Sequence, residues 1–158
     1  MPSVRCLASR LLLLSLPVSL GLIAAPAFAG AEASETERIA GLQWQTATSG
    51  EPVKWPDAVD YCADLELDGH TDWRLPGLDE LEALHEPETE TGIRAPFRIN
   101  TCCLWSGESL AERPAEDGDE IAGSPEMYHW GFMFDGGMAY YAVHIYEDGE
   151  ALCTRDLE

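Results

Sequence analysis

Asp72-Trp73-Arg74-Leu75-Pro76 is the stretch on which the reading of this chain turns. It is extended, because Pro76 disfavours helix at Leu75, and it joins two amphipathic segments. Upstream, Trp55 to Leu65 opens with Pro56 in a first helical turn, where its missing N–H costs nothing. Trp55, Ala58, Cys62 and Leu65 then recur three and four residues apart, on one helical face. Cys62 therefore points inward, while Asp57, Asp60 and Asp64 form the solvated face. A turn at Asp68-Gly69 leads into the motif. Downstream a second helix is expected, with Gly77 as its cap, Asp79 and Glu80 in the first turn where the helix dipole favours acids, and Leu78, Leu81 and Leu84 as its buried stripe.

Further out, Ile39 to Gln45 alternates as a half-buried strand should, and Thr46 to Pro52 has loop composition. Glu86 to Asn100 is irregular. The C-terminal part changes character. Tyr128 to Phe134, Met138 to Tyr146 and Ala151 to Arg155 are rich in aromatic and branched residues, separated by Asp135-Gly136-Gly137 and Glu147-Asp148-Gly149-Glu150. These are hairpin signals, so three consecutive antiparallel strands are expected, with a further short strand at Leu104 to Ser106. The intervening Gly107 to Met127 loop is long for a compact domain, and such loops tend to be functional or disordered.

The N-terminus reads as a secretory signal peptide. Arg5 and Arg10 precede an apolar run from Leu11 to Ala25, and Ala27-Phe28-Ala29 offers small residues where a signal peptidase cuts. The run is short for a membrane span of roughly 20 residues. Cleavage after Ala29 would leave 158 − 29 = 129 residues, enough for one domain. Gly30 to Arg38 reads as an acidic, disordered lead-in and residues 39–158 as the domain. The 9 basic and 29 acidic residues of the chain become 7 and 29, a net charge of 7 − 29 = −22. Such a surface repels nucleic acid and anionic lipid, which excludes a nucleic-acid role, and the exported protein is expected in the periplasm or outside the cell.

Of five cysteines, Cys6 leaves with the peptide, and Cys62, Cys102, Cys103 and Cys153 remain. An even count in an exported domain reads as disulfides, with three connectivities open. Adjacent Cys102 and Cys103 have Cα atoms about 3.8 Å apart. A bridge between them is strained and easily reduced; otherwise one of them pairs elsewhere. No histidine sits at the spacing that would turn the pair into a metal site. His70, His85, His129 and His144 lie in four separate segments, and no serine has a nucleophile setting, so no catalytic set is assigned. Asp117, Asp119 and Glu120 are the best candidate for a calcium cluster, but without the ligand spacing of a defined calcium loop they read first as a solvated loop. Trp44, Trp55, Trp73 and Trp105 are expected in the core. Trp130 is either core or a sugar-stacking surface.

Taken in order, Gly41-Leu42-Gln43-Trp44-Gln45, Trp55 with Ala58 and Tyr61-Cys62, Gly69 with Asp72-Trp73-Arg74-Leu75-Pro76, Glu80-Leu81, Leu104-Trp105-Ser106 and Cys153 resemble the bacterial domain named after the C-terminal region of the Legionella collagen-like adhesin. The resemblance spans about residues 39 to 156. A more distant likeness, through Arg74-Leu75-Pro76 before an acidic helix, is to the formylglycine-generating and sulfatase-modifying group. Both imply an α+β, C-type-lectin-like fold, with two helices packed on a twisted antiparallel sheet and long loops on one side. They also imply a bridge from Cys62 to Cys153. Two departures stand out: Leu104-Trp105-Ser106-Gly107-Glu108 replaces the usual aromatic-Trp-Ser-Ser-Thr pattern, and Leu152 stands where a basic residue often precedes the last cysteine. The sulfatase-modifying group uses a separated cysteine pair near the chain end, where Cys153 stands alone. The resemblance thus implies a non-enzymatic recognition or adhesion module for a surface or glycan ligand. The alternatives are a sulfatase-modifying-type or redox accessory using Cys102 and Cys103, and a structural envelope component with a protein partner.

Overall fold

The computed structural model describes residues 34–116 and 121–157; the expected signal peptide and the acidic cluster of residues 117–120 lie outside this range. Two short helices and two three-stranded antiparallel sheets make up a mixed α+β domain. Strand β1 (Thr36–Ile39) pairs with β2 (Leu42–Gln45), which pairs in turn with the last strand, β6 (Thr154–Asp156). The second sheet runs in the order β3 (Cys103–Ser109), β4 (Tyr128–Met133), β5 (Met138–Val143). Helix α1 (Trp55–Ala63) and helix α2 (Leu78–Glu82) flank the extended motif.

Residues 36–38, read from composition as part of a disordered lead-in, belong to the first strand. Ala40 and Gly41 both have positive φ, at 53° and 84°, the geometry of a tight two-residue hairpin turn. This turn splits the single strand expected over Ile39 to Gln45. Alanine is an unusual occupant of that conformation, so the turn left no Asn-Gly or Asp-Gly signature.

A second correction concerns the three consecutive strands. The β4–β5 hairpin forms in register from Tyr128↔Val143 to Met133↔Met138. After β5, however, the chain crosses over and does not fold back. Gly149 and Glu150 run beside β3, with Val53 N–H donating to the Gly149 carbonyl at 2.9 Å and Trp105 N–H to the Glu150 carbonyl at 3.0 Å. An added Cβ on Gly149 would lie 3.1 Å from the Trp105 nitrogen, so this passage depends on a glycine. The chain then enters the other sheet as β6. What reads locally as a hairpin turn is the link between two sheets.

Alternation along the crossing strands separates two hydrophobic cores. Leu104 and Leu152 face a cluster with Trp44, Leu81, Leu84, Phe132 and Phe134. Their neighbours Trp105 and Cys153 face a second cluster with Ala58, Cys62, Trp73 and Leu75. Helix α2 closes the first core through Leu78 and Leu81, with Leu84 from the turn that follows it, and helix α1 the second through Ala58 and Cys62. Gly77 N–H donates to Glu80 Oε2 at 2.7 Å, which caps the start of α2. Trp44, Trp73 and Trp105 are buried, and Trp55 is partly so.

Cys62 and Cys153 are bonded across 91 residues of sequence, tying α1 to the residue before β6 inside the second core. Closing a loop of that length restricts the unfolded chain by about 4 to 5 kcal/mol on the entropy model. A Cys62→Ser/Cys153→Ser double variant should lose about 4 kcal/mol of stability, read as a lower urea midpoint under non-reducing conditions. An unchanged midpoint would show that the second core holds α1 without the bridge.

Candidate recognition cleft

The motif residues are engaged in holding the fold. Arg155, almost fully buried, donates through Nε and Nη2 to the two Asp72 oxygens at 2.7 and 3.0 Å, and through Nη1 to Gln43 Oε1 at 3.0 Å. This guanidinium holds the Asp72 carboxyl below the usual carboxylate range. Arg74 makes a bidentate pair with Glu80 at 2.8 and 2.9 Å and a third contact with Asp156 at 3.0 Å, which lowers the Glu80 carboxyl likewise. Trp73 and Leu75 point the other way, into the second core. All five motif positions, Asp72 to Pro76, are therefore committed to structure.

Cys102 and Cys103 are bonded to each other at the start of β3, the first exposed and the second buried. Near them lies Glu150, fully buried. Its Oε2 accepts hydrogen bonds from the Thr48 hydroxyl and, at 3.4 Å, from Asn100 N–H, while Oε1 has no partner. Neither cysteine joins a histidine or carboxylate cluster that could hold a metal among the described residues.

An open concavity lies elsewhere, against the face of the β4–β5 hairpin that carries Trp130 and Tyr141. The register that pairs Trp130 with Tyr141 sets their rings together on one face, edge to face at 5.4 Å, and Tyr128 meets Tyr141 at 6.0 Å in the same manner. Opposite them the chain following β3 folds back: Trp130 Nε1 donates to the Arg113 carbonyl at 2.8 Å. An open cleft of ≈ 550 Å³ results, lined by Leu78, Arg113, Glu116, Trp130, Ala139 and Tyr141 among others. A second hollow of ≈ 320 Å³ adjoins it, sharing Pro114, Ala115 and Tyr141 and extending to Leu110 and Pro125. Trp130 thus belongs partly to the core and partly to the cleft. Arg113 is held by Asp79 at 2.7 Å and Glu108 at 3.5 Å, and its guanidinium is pushed further above its ordinary range by Asp79 first.

On the opposite face of β4, His129 stacks on Trp55 with ring centroids 3.5 Å apart and lies 5.9 Å from the ring of His144. Its Nδ1 is buried without a partner. Burial first, and then the neighbouring His144, push its pKa down to about 4, against a smaller opposing pull from Glu112 and the Glu126 backbone. The sequence places these two histidines in separate segments, and only the β4–β5 register brings them together. Tyr140, on this same face, leans over Gly131, where an added Cβ would meet its ring at 2.6 Å. Burial raises its hydroxyl above the ordinary range.

The fold and the cleft define a disulfide-braced α+β module with an aromatic concave surface. The chain matches the family described as the Lcl C-terminal domain over residues 35–153 and belongs to that family. No curated protein matches it. Among the described residues, no helix is long and apolar enough to cross a membrane.

A histidine whose folded pKa lies below its unfolded value stabilises fully above the unfolded value, near 6.5, and loses that contribution as pH falls toward about 4. Between these values the unfolded chain binds the extra proton. Stability should therefore drop between pH 7 and pH 5 by on the order of 1 kcal/mol after allowing for solvent screening. His129→Phe, which keeps a ring against Trp55, should remove that component from urea titrations at the two pH values. A slope unchanged in the variant would assign the pH dependence to other groups.

Proposed function

We propose that this domain is an exported, non-enzymatic recognition module of C-type-lectin-like fold, and that it binds a surface glycan in the cleft between the β4–β5 hairpin and residues 113–116. The observation that carries the reading is the pairing of Trp130 and Tyr141 in an open cleft. Aromatic side chains supply rigid, amphipathic contact area, and a sugar ring presents C–H groups to such a surface. Membership of the Lcl C-terminal domain family supports a role related to adhesion. The two helices that flank the motif support the fold assignment. The transfer from fold to ligand class is by analogy, so the test is on the ligand.

The mature domain, applied to a glycan array, should retain a subset of glycans that Trp130→Ala no longer binds. Tyr141→Ala, which removes less of the core-facing packing, should weaken the same subset about tenfold, and near-ultraviolet circular dichroism should verify that both variants remain folded. The reading requires no calcium, so chelation should leave binding intact. A folded Trp130→Ala protein that still binds the same glycans would refute the assignment. Calcium dependence would move the site toward Asp117, Asp119 and Glu120.

The vicinal bridge gives a redox-accessory reading its foothold, since Cys102 is exposed. Under that reading, substituting both cysteines abolishes function; under the cleft reading, glycan retention survives the substitution.

A further inference from the structure

We propose that the cleft selects a cationic glycan, one whose hexosamine units carry free, protonated amino groups. This inference rests on the glycan-binding reading of the same cleft and specifies the ligand's charge. The cleft wall carries Glu116, exposed and with no cationic partner among the described residues. The single cation on the wall, Arg113, is engaged by two carboxylates, Asp79 and Glu108. Arg113 and Glu116 offset each other in the lining itself, and Asp79 and Glu108, which border the cleft through Arg113, bring the local balance to 1 − 3 = −2, in a chain whose net charge is −20.

The aromatic floor has the same preference. The faces of Trp and Tyr rings carry negative potential and attract ammonium groups within about 6 Å of the ring centre. A neutral sugar would use only the C–H contact, and a sulfated or uronic-acid sugar would bring negative charge to a negative cleft, where like charges oppose binding. A protonated 2-amino sugar satisfies both elements, stacking on the Trp130 and Tyr141 surface while its ammonium faces Glu116. Arg113 does not reverse this preference, because its guanidinium is shared between Asp79 and Glu108 and its backbone carbonyl, not its side chain, holds Trp130 in place.

The test is a tryptophan-fluorescence titration of the mature domain at pH 6 with three tetrasaccharide probes: glucosamine tetramer, its fully N-acetylated form and an N-sulfated form. Tetralysine serves as a non-sugar polycation control. The glucosamine tetramer should bind at least about tenfold more tightly than the acetylated one and weaken with salt, while the sulfated one should not bind. Glu116→Gln should reduce that affinity about three- to tenfold and flatten its salt dependence. Trp130→Ala should abolish it.

Equal or tighter binding of the acetylated or sulfated probe, with loss on Trp130→Ala, would overturn the charge preference and leave the cleft reading standing. Binding of tetralysine as tight as that of the glucosamine tetramer would also overturn it, by showing attraction to any polycation. If none of the three sugars bound, or if Trp130→Ala changed nothing, the cleft reading would fail along with it.

Discussion

The paired backbone hydrogen bonds between Arg74 and Thr154, N–H to carbonyl in both directions at 2.8 and 2.9 Å, are the joint on which the architecture rests. They clamp the extended motif to the last strand, eighty residues later in the chain, where that strand also pairs with β2. Everything around the joint reinforces it: Asp72 receives the buried Arg155, Arg74 reaches Glu80 and Asp156, and Cys153 next door is bonded to Cys62. Arg155 is the member that could least be left alone, because a buried charge stripped of its partner costs far more than the pair gains. Asp72, mostly exposed, is the more replaceable half in solvation terms but the one that keeps Arg155 paired.

From this joint the two cores follow. The segment from Gly149 to β6 passes between them, sending Leu152 to one side and Cys153 to the other, and β3 does the same with Leu104 and Trp105. Helix α2 is fixed at its start by Glu80, whose carboxylate serves both the Gly77 amide and Arg74. Leu78 then reaches from that helix to the edge of the cleft, so the proposed recognition surface is one step removed from the motif. The cleft floor comes from the rigid hairpin and its wall from the chain after β3, tied to the floor by Trp130 and to α2 through Arg113 and Asp79. A cleft built on a braced sheet and rimmed by an irregular segment would, as a binding surface, divide the labour between order and adaptability.

Much of the scaffold was legible because it depends on local chemistry. Pro56 and the spacing of Ala58 and Cys62 announce α1; Gly77, Asp79 and the Leu78, Leu81, Leu84 stripe announce α2; Asp135-Gly136-Gly137 marks the β4–β5 turn. What escaped is what local chemistry does not encode. Ala40 adopts a turn conformation that its side chain does not advertise, and the turn signal at Glu147 to Glu150 cannot say which sheet receives the next strand. The choice is made by burial of Leu152 and Cys153 in two different cores, a tertiary matter. The aromatic pair at Trp130 and Tyr141 is recoverable by counting the hairpin register outward from its turn. Arg113 and Glu116 are not, since they sit in a segment without periodicity, and their place at the cleft follows only from where that segment folds back.

The claim that the motif-to-β6 joint is the last structure to open is tested most directly by native-state hydrogen exchange at the Arg74 and Thr154 amides. The account predicts that both exchange only through global unfolding, with a protection free energy equal to the stability from urea titration and well above that of the Arg113 to Glu116 segment. Exchange of either amide at the rate of the loop residues would contradict it, showing that the cleft's scaffold is held together elsewhere.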